Sequence, residues 1–223
     1  MDPSRLTITA GPSFTAKWLA PRMFHFAEKH PDLELRFIAT LKLVDFARDD
    51  VDIAIRFGQG EDPGLFSEML YEGFITPMMH PDVATRLTKP SDLLSETLIH
   101  DDSLSFLPNP PNWDRWFEAV GVEHAPLKGP RFSQADHAVD LALEGNGVVL
   151  GRASITARHL RAGQLVAPFR IALTAPVQYR IVCPAGTENR PAVALFRNWA
   201  REEIDKDRSL GDGFEKIEIG QDR

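Results

Sequence analysis

The stretch Val44-Asp45-Phe46-Ala47-Arg48-Asp49-Asp50-Val51-Asp52-Ile53-Ala54-Ile55-Arg56-Phe57-Gly58 decides the fold. It reads as a short polar helix feeding an apolar strand that stops at Arg56, with Gly58 and Gly60 beyond. Two earlier turns match it, Gly11-Pro12-Ser13-Phe14-Thr15 after the alternating run Arg5 to Ala10, and Ala39-Thr40-Leu41-Lys42 after a second alternating run from Leu33. Strand, helix, strand, helix, strand with short connections predicts a right-handed parallel unit. All three turns then fall at the carboxyl edge of one sheet, where open α/β sheets bind ligands.

Working outward, Thr15 to Lys29 carries Leu19, Met23, Phe24, Phe26 and Ala27 at helical spacing, with Ser13 or Thr15 placed to cap the start and Pro21 placed to bend it. A second unit follows. Thr97 to His100, Gly129 to Ser133, Val148 to Leu150 and Leu165 to Phe169 read as strands; Trp113 to Val120, Ala135 to Glu144 and Ser154 to Leu160 read as helices, with Gly145-Asn146-Gly147 as a helix stop. Phe74 to Pro81 is an extended segment leading out of the first unit, and Val177 to Val182 is a strand leading back, followed by a helix from Pro191 to Ile204.

The expected architecture is therefore α/β, two Rossmann-like lobes joined by two crossover strands. Residues 1–76 and 177–205 make lobe I, residues 77–176 lobe II, and residues 206–223 a loosely held tail. Such a pair encloses a cleft with a hinge at its floor.

Composition narrows the function. A net charge of -7 argues against a surface that grips nucleic acid, because that affinity rests on Lys and Arg neutralising phosphates. No apolar run approaches the ~18 residues of a membrane span, and no charged-then-apolar leader opens the chain, so a cytoplasmic location is expected. Cys183, in the run Arg180-Ile181-Val182-Cys183-Pro184, reads as a buried structural thiol. His100-Asp101-Asp102 resembles a metal cluster, but the other histidines are scattered and no His-x-x-x-His spacing exists. Gly145-Asn146-Gly147 lacks the Lys and Ser/Thr of a phosphate loop, and no Gly-x-Ser-x-Gly turn is present. No cofactor, metal or catalytic set is expected, and Asp49, Asp50 and Asp52 read as solvated or capping carboxylates.

These residues together resemble the effector-binding portion of a LysR-type transcriptional regulator, in the subgroup of the glycine-cleavage activator and the β-lactamase regulator. The resemblance is carried by Trp18-Leu19-Ala20-Pro21-Arg22 through Phe26, His30-Pro31-Asp32-Leu33-Glu34-Leu35-Arg36, Val44-Asp45-Phe46 with Asp49 to Gly58, Trp113 to Val122, and Phe132 through Gly147. It implies a fold similar to type II periplasmic binding proteins and a role in sensing a metabolite for an attached DNA-binding domain. That winged helix-turn-helix is expected to be missing here, since Met1-Asp2-Pro3 leads directly into the first strand. It also implies a homodimer in which the helix near Met23 lies antiparallel to the helix near Val139 of another copy, with Met23 and Leu143 as interface candidates. A tetramer is implied for the full-length regulator, with DNA bound only through the missing domain.

The expected effector-binding residues are Ser13, Phe14, Thr15, Thr40, Arg56, His100, Ser133, Gln134, Arg152 and Tyr179. The resemblance places the turns at Ser13, Thr40 and Ser133 toward the ligand, a small organic molecule with an anionic or polar group. Each residue has a plainer reading. Ser13 and Thr15 can simply cap a helix, Arg56 can pair with Glu61 or Asp62, and Tyr179 can be a core aromatic. Two rival functions stay open, a periplasmic-type solute-binding protein and an enzyme on the same bilobal scaffold.

Overall fold

A computed structural model describes residues 4–219. In chain order the strands are β1 (Arg5–Ala10), β2 (Glu34–Ala39), β3 (Ile53–Gly58), β4 (Leu65–Tyr71), β5 (Ile75–Met79), β6 (Leu98–Asp101), β7 (Arg131–Phe132), β8 (Val148–Arg152), β9 (Ile171–Thr174), β10 (Gln178–Pro184) and β11 (Glu215–Glu218). The helices are α1 (Pro12–Phe14), α2 (Ala20–Lys29), α3 (Pro81–Ala84), α4 (Trp113–Ala119), α5 (Ala135–Leu143), α6 (Ala153–Arg161) and α7 (Pro191–Arg208). The described residues fall into two units. One runs up to Glu72 and resumes with Val177–Ser209; the other comprises Gly73–Pro176 and the residues from Leu210.

The first unit holds a sheet of order β2-β1-β3-β10-β4. The β1, β2 and β3 strands run parallel, as the alternating runs predict, while β10 is antiparallel to both β3 and β4. Leu6, Ile8 and Ala10 are buried on one face of β1 among the buried Trp18, Phe26, Phe196 and Trp199, whose rings pack edge-on or tilted at 5.2–5.9 Å. Cys183 is buried on β10, and burial raises its thiol pKa, so it is inert packing.

Local chemistry explains where the elements depart from expectation. Pro21 cannot donate to the carbonyl four residues back and its ring crowds that turn, so the chain widens into a π segment over Thr15–Leu19 before α2 begins. No helix forms between β2 and β3. Asp45 accepts from Ala47 N at 3.0 Å and Asp49 from Asp45 N at 2.9 Å, and these side-chain bonds hold a single turn in place of a continuing helix. Asp52 is not solvated. It is buried, accepts from Thr7 N at 2.9 Å, and pairs with Arg190 at 2.9 Å, which ties β3 to β1 and to the start of α7.

The second unit holds a sheet of order β11-β9-β5-β8-β6-β7. Here β6, β7 and β8 are parallel, and β5 is antiparallel to β8 and β9. The expected strand Leu165 to Phe169 reduces to one bridge, Val166 to Met79, because Pro168 has no N–H for a ladder; the strand forms at β9 instead. Gly145, at φ 73°, ends α5 as its position predicts.

The expected loose tail is overturned among the described residues. Asp207 and Arg208 belong to α7, and β11 pairs in parallel with β9 from Glu215–Ile171 to Glu218–Thr174. Asp207 is 0 % exposed, accepting from Trp18 Nε1 at 2.9 Å and from Arg22 Nη2 at 3.1 Å. Arg22 in turn donates to Trp18 O and lies over the indole at 4.8 Å. Among the described residues no helix is long and apolar enough to cross a membrane.

Candidate functional site

In the first unit the strand register sets the site. Ala10 is level with Ala39 on β2 and with Ile55 on β3. The next residues, Gly11, Thr40 and Arg56, therefore stand side by side at the carboxyl ends of three adjacent parallel strands, and Thr40 N donates to Ala10 O at 3.0 Å. Gly11 occupies the cap position of α1 with no side-chain cap bond, so neither Ser13 nor Thr15 caps that helix. Ser13 and Phe14 are buried and Thr15 half-buried; the Thr15 hydroxyl is enclosed without a hydrogen-bond partner. The Thr40 hydroxyl accepts from Lys42 N at 3.1 Å and keeps its own proton to donate.

Aromatic rings back these turns. Tyr179, opposite Phe57 in the β10–β3 ladder, is buried with its ring 4.4 Å from Phe14 and 4.5 Å from Phe57. The core-aromatic reading of its ring thus holds.

Arg56 is committed as its plainer reading expects. Its Nη1 donates to Asp62 Oδ1 at 2.7 Å and its Nη2 to Val44 O at 3.2 Å. Asp62 also accepts from Arg180 Nε at 2.9 Å and from Ser67 Oγ at 2.9 Å, while Arg180 Nη1 reaches Gly58 O at 2.9 Å. Burial of Asp62 opposes its charge, but the hydrogen bonds from Arg180, Arg56 and Ser67 outweigh it and hold the carboxyl below its ordinary value. Sequence reading offers the Arg56–Asp62 pair but misses Arg180 and Ser67 in this centre, although an arginine inside the apolar run of β10 signals a buried acid to match it.

In the second unit His100 on β6 is level with Arg131 on β7, and Asp101 with Phe132, so Ser133 stands at the end of β7 beside Asp102. Ser133 is exposed, and Gln134 caps α5 without a side-chain cap bond. Arg152, at the end of β8, is buried; its Nη2 donates to Ser103 Oγ at 3.0 Å and lies 3.6 Å from Asp101.

His100 behaves differently from the other candidates. It is 6 % exposed and lines a cavity of about 200 Å³ together with Asp101, Asp102, Trp113, Asp114 and Arg131. Burial first, and the Arg131 charge second, lower its pKa from the ordinary imidazole value, with Asp102 and Asp114 opposing. Among the described residues no group of three or more His, Cys, Asp or Glu is placed to hold a metal ion.

The structure thus gathers Ser13, Phe14, Thr15, Thr40, Arg56 and Tyr179 at one sheet edge of the first unit. It gathers His100, Ser133, Gln134 and Arg152 around the corresponding strand ends of the second.

Comparison with known proteins adds independent findings. Residues 2–205 match the family model described as the LysR substrate binding domain. The HTH-type transcriptional activator AmpR of Citrobacter koseri is 36% identical over 194 residues, covering 87% of this chain and 65% of that protein. The glycine cleavage system transcriptional activator of Escherichia coli K12 is 33% identical over 198 residues, covering 87% of this chain and 63% of that protein. The chain therefore spans just under two thirds of the length of these relatives, which are named as activators and not as enzymes. Among solved structures, the effector domain of the transcriptional regulator AmpR of Pseudomonas aeruginosa superposes with a TM-score of 0.71 at 30% identity, covering 92% of this chain and 98% of that one.

Proposed function

Because the chain belongs to the LysR substrate-binding domain family, with the mixed α/β, type II periplasmic-binding-protein-like fold of its effector domains, we propose that it senses a small organic effector for a transcriptional regulator acting in the cytoplasm. DNA is then bound by a separate helix-turn-helix domain of the full-length protein. The observation that carries this reading is the level alignment of Gly11, Thr40 and Arg56 at three parallel strand ends, with the enclosed, unpartnered Thr15 hydroxyl beside them. A hydroxyl withheld from protein partners is costly unless a ligand or water completes it.

In this reading Ser13, Thr15, Thr40, Ser133 and Gln134 supply hydrogen bonds, and Phe14 and Tyr179 supply an aromatic floor. Arg56, His100 and Arg152 set the local charge. The effector biases the regulator through unequal affinity for its two arrangements. Titration of the chain with candidate metabolites, followed by tryptophan fluorescence, gives saturable binding without turnover. Thr40→Val and Ser133→Ala each weaken it about five- to tenfold, the value of one net hydrogen bond. Unchanged affinity in both variants removes these turns from the site.

The proposed dimer places α2 of one copy against α5 of another, and tetramers form in the full-length protein. Met23 and Val139 themselves are buried within their own units, so they serve the core; Leu143 is half-buried. Exposed apolar side chains in this region are Phe24 on α2, 66 % exposed, and Phe37 on the edge strand β2, level with Ile8 and on the same sheet face. Phe24→Glu combined with Phe37→Glu converts dimers to monomers in light scattering at micromolar concentration, without lowering the melting temperature. A dimer that survives both substitutions places the interface elsewhere.

A further inference from the structure

Residues 210–219 lie beyond the stretch 2–205 that the family model matches, and they make a connection of their own. The chain passes between the two units three times, at Glu72 to Gly73, at Pro176 to Val177, and again at Ser209 to Leu210. The third passage has little slack. Asp207 is bound within the first unit by Trp18 Nε1 at 2.9 Å and Arg22 Nη2 at 3.1 Å. A few residues on, through the 3₁₀ turn Ser209–Gly211, Gly211 is already packed in the second unit, where a Cβ would stand 3.3 Å from the Phe74 ring. From Asp207 to Gly211 the chain covers roughly 6–8 Å in helical form and about 14 Å when fully extended, so it yields about 6 Å before one end must let go.

The far end is held by few contacts. Phe214, half-buried, sets its ring 4.8 Å from Phe74 and 4.9 Å from the Arg170 guanidinium. Glu215 N donates to Arg170 O at 2.8 Å and Ile219 N to Thr174 O at 2.9 Å, which bracket the β11–β9 ladder. Glu215, Lys216 and Glu218 are exposed, and of residues 214–219 Ile219 alone is buried. An edge strand with so little apolar burial opens at a small part of the cost of global unfolding. Phe74, by contrast, is firmly seated. It is 3 % exposed, stands one residue past Gly73 at the first passage, and accepts from Ala153 N at 2.9 Å.

We propose that residues 210–219 form a releasable strap, which joins the end of α7 to the second unit, clamps on Phe74 beside the first passage, and restrains displacement of one unit relative to the other. The inference goes beyond the sensor reading and does not depend on it. An effector that shifts the units works against the strap, and loosening the strap lowers the differential affinity that the shift demands.

The test is made on the full chain carrying spin labels at Glu202→Cys in α7 and Glu118→Cys in α4, two exposed positions, one in each unit. Cys183 is buried and stays unlabelled. Pulsed electron double resonance, with the labelled protein diluted in unlabelled protein, reads the distance distribution between the units. Phe214→Ala removes the clamp, and Phe214→Ala with Glu215→Pro also removes the N–H that donates to Arg170 O. The double variant is expected to widen the distribution by about 6 Å or more, the play that the intact strap denies, and the single variant to widen it less. Amide exchange at Ile219 is expected to speed up about tenfold or more in both, as the strand opens locally. Phe106→Ala, which removes a ring 60 % exposed on another loop of the second unit, is expected to leave the distribution narrow.

Unchanged width in both strap variants overturns the proposal, as does equal widening in Phe106→Ala. A lowered melting temperature with faster exchange at Ile219 but no widening also overturns it, because β11 is then packing and not a restraint. Neither result touches metabolite binding at Thr40, which is measured separately.

Discussion

Asp62→Ala destabilises the protein by about 3–5 kcal/mol in urea unfolding, the range for removing one partner of a buried ion pair. The loss exceeds that of an ordinary surface pair because Asp62 is the shared acceptor of two guanidiniums, Arg56 at 2.7 Å and Arg180 at 2.9 Å. Taking the carboxylate away leaves both cations enclosed and uncompensated. Asp62→Leu combined with Arg180→Met recovers only part of the loss, since it removes one of the two stranded cations and leaves Arg56 without its carboxylate. The same centre sets an acid limit. The folded-state pKa of Asp62 is lowered from 3.8, so its contribution is fully present above that value and is lost as pH falls below 3.8 toward the folded pKa. Wild-type unfolding free energy therefore drops in that window, and Asp62→Ala shows a smaller drop. Equal acid sensitivity in the two proteins would refute the assignment.

Asp207→Ala costs a comparable amount, about 3–5 kcal/mol. Its carboxylate, fully enclosed, joins the last turn of α7 to Trp18 Nε1 and to Arg22. Without it the Arg22 guanidinium, whose side chain is 11% exposed, loses its nearest carboxylate, with Glu203 standing farther off at 3.7 Å. Trp18→Phe removes the indole hydrogen bond and leaves the ion pair, so it costs less in this network, about 1–2 kcal/mol for the hydrogen bond. Thermal unfolding of the two variants ranks them directly. A Trp18→Phe loss equal to that of Asp207→Ala would mean that ring packing, and not the carboxylate, anchors the helix.

Both effects depend on long-range partners that the sequence hides, and the reason is physical. Alternation and helical spacing report which face of an element is apolar, so β1, β2, β3 and α5 are legible within a residue or two. The carboxyl-edge residues Ser13, Thr40 and Ser133 follow from those elements, because a strand's last residue is a local property. Pairings across long separations are not local. Asp62 meets Arg180 and Trp18 meets Asp207 only after β10 and α7 have packed, and nothing near Lys206-Asp207-Arg208 in the sequence marks Asp207 as interior.

The polar run after Asp205 reads as tail for the same reason. Its partners are Trp18, Arg22 and the edge of β9, all distant in the chain. The turn at Asp45 to Asp49 fails differently, since its composition permits one helical turn but its own carboxylates compete for the backbone.

The interleaved order of the strands also governs how the molecule comes into being. β10 lies between β3 and β4, so β4, made early, has no neighbour in its sheet until residues 178–184 emerge. The second sheet likewise gains β11 only after residue 215. Neither unit can complete its sheet until residues 178–184 and 215–218 have been made, so the two units finish late and close together in time. The nascent polypeptide must wait with β4 unpaired, a period in which a holdase chaperone has the most to protect.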